Sequence, residues 1–187
     1  LAAFLMDTRD QQIAQFAKSG LGRITVNAGK SRSYGAEAAL RANLTDALSM
    51  NASYGYTYAT FTDYKTIDRG QNEISYDGNY VPKHTLNVGG QYIFRIAPRH
   101  WLDRVQVNVN YNGAGRIYWT EQNDVSQSFY GTLNSRVSLA KGNGQIDFWV
   151  RNALDKKYAT FYFETMGNGF MQKGRPVHFG VDIRCRF

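Results

Sequence analysis

The chain has 187 residues, 43% hydrophobic and 20% charged, with 22 Lys and Arg against 15 Asp and Glu for a net charge of +7. That length suits one domain, and the balance excludes a disordered or low-complexity class. The single cysteine, Cys185, excludes an intrachain disulfide and a cysteine-based metal site, while the scattered basic residues, clustered no further than Lys156-Lys157, argue against a nucleic-acid footprint.

Alternation of apolar and polar residues dominates the chain, and such alternation marks strands with two unlike faces. A first run covers residues 2–16. "SYGAEAALRANL" follows, with Tyr34, Ala36, Ala38 and Leu40 on one face and Glu37 and Arg41 on the other. "LSMNASYGYTYAT" sets Leu48, Met50, Ala52, Tyr54, Tyr56 and Tyr58 against Ser49, Asn51, Ser53, Gly55 and Thr57. "HTLNVGGQYIF" aligns Leu86, Val88, Gly90, Tyr92 and Phe94. "DRVQVNVNYNG" opposes Val105, Val107, Val109 and Tyr111 to Gln106, Asn108, Asn110 and Asn112. In "GTLNSRVSLAKG", Leu133, Ser135, Val137 and Leu139 face away from Asn134, Arg136 and Ser138. "QIDFWVRN" separates Ile146, Phe148 and Val150 from Asp147, Trp149 and Arg151. The last run, "HFGVDIRCRF", puts Phe179, Val181, Ile183, Cys185 and Phe187 against Asp182, Arg184 and Arg186.

Connections between the runs alternate in length. Short ones fall near 44–47, 97–100 and 141–144; longer ones near 18–30, 63–83, 121–128 and 164–175. The pattern predicts about eight antiparallel strands in up-and-down order, with long loops at one end and short turns at the other. No apolar stretch approaches the about 20 residues of a membrane-crossing helix. Crossing strands need only about ten alternating residues, and several runs extend to that length or beyond. The polar face is rich in Asn, Gln, Ser, Thr and Gly, which suits a confined, hydrated lumen better than open solvent. Aromatic residues gather near the run ends, as interfacial girdles do. The expected fold class is therefore all-β, an antiparallel up-and-down transmembrane β-barrel.

Several stretches resemble the C-terminal barrel portion of TonB-dependent outer-membrane receptors. "NAGKSRSYGAE" is similar to that family's N-x-G…G-x-E strand, through Asn27, Gly29, Gly35 and Glu37. "VPKHTLN" resembles its Val-Pro…His-Thr-Leu-Asn re-entry, through Val81, Pro82, His84, Thr85, Leu86 and Asn87. "NALDKKY" is similar to the Asn-Leu-x-Asp-x-x-Tyr stretch before the last hairpin, through Asn152, Asp155 and Tyr158. The ending resembles the family's Gly-x-Pro…Gly terminus closing on Phe, although Val177 stands where an Arg is often found.

The resemblance implies that residues 1–187 are the C-terminal part of a larger barrel in the Gram-negative outer membrane, without a plug domain. It implies uptake of a bulky, scarce nutrient such as a ferric siderophore, cobalamin or oligosaccharide. Energy would come from the TonB complex through an N-terminal part missing here. The implied partners are the lipid bilayer and the outer-membrane assembly machinery, for which Phe187 would be the terminal signal. The alternative is a self-contained eight-stranded outer-membrane protein with a structural, adhesive or small-channel role. Pairing of residues 2–16 with 178–187 would mark that alternative.

Neither a catalytic nor a metal-binding motif is present. His84, His100 and His178 lack ligand spacing, and no G-x-S-x-G or nucleotide-binding glycine motif occurs. Glu37, Arg41, Arg136, Asp147, Arg151, Asp182 and Arg184 are expected on the lumen-facing wall, where opposite charges on neighbouring strands pair readily. Tyr118, Trp119, Phe161, Phe163 and Phe170 are expected at the long-loop end, as headgroup anchors or as residues that grip a ligand.

Overall fold

The computed structural model describes every residue except 17–22, 64, 68–72, 76–80, 98–99, 121–122, 166 and 187. Backbone alone is described at 11, 13–16, 23–24, 26–28, 63, 65–67, 73–75 and 165. Among the described residues, the regular elements are all strands: β1 (Ala2–Phe16), β2 (Arg23–Asn43), β3 (Leu48–Asp63), β4 (Lys65–Ile67), β5 (Glu73–Ser75), β6 (His84–Arg95) and β7 (Arg104–Ala114). They continue with β8 (Ile117–Tyr118), β9 (Ser126–Gln127), β10 (Tyr130–Lys141), β11 (Gly144–Arg151), β12 (Ala159–Thr165), β13 (Asn168–Lys173) and β14 (His178–Cys185).

Eight of them form one antiparallel sheet in the order β1-β2-β3-β6-β7-β10-β11-β14. Each wall strand pairs with the next wall strand along the chain, which is the expected up-and-down path. The remaining six form three separate hairpins, β4–β5, β8–β9 and β12–β13, set within the long connections. The connections from β2 to β3, from β6 to β7 and from β10 to β11 share the opposite end. Thr45 closes the first of them, its hydroxyl accepting from the amides of Ala47 at 3.2 Å and Leu48 at 2.9 Å.

One expectation changes and one alternative falls away. The connection placed at 18–30 is largely strand, because β2 begins at Arg23 and pairs with β1 as far as Phe16. Ile24, Thr25 and Val26 are β-branched and favour extended backbone. The 21 residues of β2 span roughly 70 Å, far more than a hydrocarbon core requires. Second, the sheet ends at β1 and β14, and among the described residues these edges do not pair. The closed eight-stranded barrel is therefore not formed. Closure of so few strands needs tilt and register stagger that bring the first strand to the last.

From β2 to β14 the registers keep like faces together, whereas in the β1–β2 pair Phe4 and Met6 fall opposite Gly35 and Ser33 on the side of Glu37. Phe148 lies opposite Val181 and Val137, Val107 opposite Val137 and Tyr92, and Ala52 opposite Val88 and Leu40. This apolar face has no protein layer over it: Phe179 is 82% and Ile183 77% exposed. Buried apolar side chains among the described residues are few, Phe61, Leu102, Ala140 and Ala159. So wide an apolar surface requires an apolar surrounding.

Candidate functional site

The opposite face carries two polar assemblies. The first is a row of amides across three strands, Asn51 on β3, Asn87 on β6, and Asn110 and Asn112 on β7. The Asn51 side chain donates to Asn87 at 2.8 Å; Asn87 donates to Asn110 at 3.2 Å and to Asn112 at 2.7 Å; Asn112 donates to Asn110 at 2.7 Å. Gly89 lies between Asn51 and Asn110, and a Cβ there would meet both amides below 3.0 Å. Missing bulk in the middle strand is what leaves those side chains their space.

The second assembly is ionic and spans β10, β11 and β14. Asp147 is fully buried, 0% exposed. Its carboxylate accepts from Arg136 at 3.1 Å and Gln145 at 2.8 Å, with Arg184 at 3.3 Å. Ser138, directly opposite, bonds the same carboxylate. Arg136 also reaches Asp182 at 3.4 Å. A buried carboxylate is tolerable only with such saturation.

Of the seven wall residues read from the sequence, Arg136, Asp147, Asp182 and Arg184 come together here. Arg151 stands on the same face with its guanidinium 5.8 Å from the Trp149 ring. Glu37 and Arg41 also lie on this face, opposite Gly55 and Asn51, yet no ion pair joins them to each other among the described residues. Sequence reasoning passed over Trp149. Its indole lies on Gly180 of β14, where a Cβ would collide with it, and meets His178 edge-on at 5.8 Å. Its signal was a large aromatic on the polar side of an alternating strand. A shallow recess of about 280 Å³ opens beside it, lined by Asn108, Asn110, Asn134, Arg136, Trp149 and Arg151.

At the long-loop end, the five aromatic candidates divide. Phe161, Phe163 and Phe170 share one face of the β12–β13 hairpin. Phe163 stacks on Phe170 at 5.2 Å and lies 5.8 Å from Phe161. Phe161 and Phe170 remain about half exposed. Tyr118 and Trp119 belong to the β8–β9 segment and are half-buried. The Trp119 amide donates to Val125 at 2.9 Å, and its indole N–H is buried without a partner. The terminal candidate Phe187 lies outside the described residues.

Motif residues of the last connection hold its base. Asn152 bonds backbone groups of Lys156 and Arg175, Asp155 accepts from the Val177 amide at 2.9 Å, and Tyr158 stacks on Tyr130 at 4.4 Å.

Comparison with known proteins agrees with this architecture. Residues 1–153 match the family model described as TonB dependent receptor-like, beta-barrel. The chain is 30% identical over 172 residues to the ferric-pyoverdine receptor PbuA of a Pseudomonas species, covering 87% of this chain and 19% of that protein. It is 26% identical over 153 residues to the ferrichrome outer membrane transporter/phage receptor of Escherichia coli, covering 76% of this chain and again 19% of the relative. The chain thus spans about a fifth of the curated relatives it matches. Among solved structures, the ferric yersiniabactin uptake receptor FyuA of Yersinia pestis superposes with a TM-score of 0.80 at 20% identity, over 99% of this chain and 27% of that one. That likeness is one of fold. An open apolar face, a polar face of amides and paired charges, and long loops opposite short turns are the features of an outer-membrane barrel wall. Members of the matched family are transport receptors, not enzymes. The chain belongs to the β-barrel of the TonB-dependent receptors of the Gram-negative outer membrane.

Proposed function

We propose that the intact receptor imports a ferric siderophore, driven by the TonB complex, and that residues 1–187 supply C-terminal strands of its barrel while a plug domain comes from another part of the protein. In this reading the face of Phe148, Val181 and Ile183 meets lipid. The face of the amide row and of Glu37, Arg41, Arg136, Asp147, Arg151, Asp182 and Arg184 lines the lumen. Phe161, Phe163 and Phe170 stand on the extracellular side, where half-exposed rings offer a surface to an aromatic or apolar ligand group. We assign the signal for the outer-membrane assembly machinery to β14 and to Phe187, which follows it in sequence.

One observation supports the proposal: the wall has two unlike faces, one carrying hydrogen-bonded amides and paired charges and the other apolar and bare, and a barrel in lipid would place the first inward. The nutrient class is supported by the relatives, whose names specify ferric pyoverdine and ferrichrome. The test is uptake by iron-starved cells whose other receptors are deleted. Radioiron should accumulate from one or more ferric siderophores, only in the presence of TonB. Accumulation of labelled cobalamin or of an oligosaccharide instead would replace the nutrient class, and uptake without TonB would overturn the mechanism.

A further inference from the structure

We infer that Asn152, Tyr158 and Gln127 are positioning residues that lock the β8–β9 segment and the β12–β13 hairpin to each other and to the wall, so that both move as one body. A two-stranded hairpin is marginal on its own. The orientation of β12–β13 therefore depends on its base.

That base is built around one amide. Asn152 is 4% exposed and has φ of 49°, a left-handed conformation that Asn tolerates better than most residues. Its Oδ1 accepts from the Lys156 amide at 2.9 Å. Its Nδ2 donates to the Lys156 and Arg175 carbonyls, both at 3.0 Å. The outgoing and returning limbs of the connection are thus pinned by a single side chain. Its backbone amide donates to Asn134 of β10 at 3.1 Å, which fixes the pin to the wall. An aspartate has the same shape but would turn an anionic oxygen toward two carbonyls.

The second contact is aromatic. The Tyr158 ring lies parallel to Tyr130 of β10, 9° between planes, and covers Gly174, where a Cβ would collide with the ring. The Gly174 amide donates to the Tyr158 carbonyl at 2.8 Å. The third contact joins the two connections: the Ala159 amide donates to Gln127 Oε1 at 2.9 Å, and Ala159 is buried. Three unlike interactions therefore converge where β9, β10 and β12 meet. The consequence for ligand presentation by Phe161, Phe163 and Phe170 rests on the proposed function; the lock itself does not.

The test uses the intact receptor in lipid nanodiscs with Cys185→Ser, spin-labelled at Ser126→Cys and Met171→Cys. A reference pair, Asp46→Cys and Asn143→Cys, reports the short-turn end. In the parent, the 126–171 distance distribution should be narrow. Asn152→Asp, Tyr158→Leu and Gln127→Met should each widen it by roughly two-fold, a loop-scale loosening, while Tyr158→Phe keeps the stack and the parent width. The reference pair should stay unchanged throughout. Parent-like width in all three severing variants would overturn the lock, as would equal widening of the reference pair. Because no ligand takes part, either outcome is independent of the siderophore assignment.

Discussion

Asp147 and Asp182 stand directly opposite each other on β11 and β14, and one guanidinium, that of Arg136, reaches both carboxylates. Two like charges in register repel, so the arginine decides whether the pair is tolerated. Arg136→Met should destabilise the folded wall by about 3 kcal/mol, because Asp147 is left buried with fewer compensating charges. Arg184→Gln should cost less than about 1 kcal/mol, since that partner is exposed. The double change Arg136→Met with Asp147→Asn should cost less than Arg136→Met alone. Denaturant unfolding of the receptor in lipid vesicles measures all three.

The two faces predict opposite responses to the same substitution. Val181→Arg, mid-strand on β14, should weaken insertion by roughly 2–4 kcal/mol, and Ile183→Arg, nearer the turn end, by less. Asp182→Arg, on the other face, should insert far better. Heat-modifiable mobility of the outer-membrane fraction reads the folded share. Equal losses at the two faces would mean that the strand is inverted.

Trp149 and Gly180 form a coupled pair. Gly180→Val should cost about 1–3 kcal/mol, since the added side chain meets the indole and forces it to move. The same change made with Trp149→Ala in place should cost less, so a double-mutant cycle should show a non-zero coupling energy.

In the short turns, Asp103 accepts from Lys141 Nζ at 2.8 Å and from the Gly142 amide at 2.7 Å. The Lys141 hydrogen bond, then the Gly142 amide, hold its carboxyl below the ordinary carboxylate range. Its pKa is lower folded than unfolded. Its contribution is therefore full above the unfolded value and lost as pH falls through the folded one, below about pH 4. Hydrogen exchange of the Gly142 amide should accelerate in that acid window, relative to a reference turn amide. Asp103→Asn should remove the pH dependence.

Strand faces were legible in the sequence because a period of two needs no knowledge of neighbours. Phe148 and Val181 declare the same side independently, and the register brings them opposite each other. Which charges meet was less legible. Face is a property of one strand, whereas pairing depends on register across turns, so Arg136 and Asp147 join while Glu37 and Arg41 do not. Periodicity fades over residues 23–30, where Asn27, Gly29 and Lys30 dilute the signal of Ile24 and Val26, and only the family resemblance puts Asn27 and Gly29 on a strand. The β12–β13 hairpin shows in the sequence only as rim aromatics followed by a loop, since its base is closed by Asn152, whose partners Lys156 and Arg175 are 4 and 23 residues away.

The group of Arg136, Arg184, Asp147 and Asp182 contains two cations and two anions, so it carries no monopole. Its field falls off faster with distance than that of a lone charge, and the neighbouring amides of Asn51, Asn87, Asn110 and Asn112 add none at any ordinary pH. An ion close to the four charges is oriented by their dipoles, while the net pull of this part of the face comes from Arg151 beside Trp149. The four-residue group is therefore adhesive at contact and nearly silent at range, so salt should act on this face mainly through Arg151.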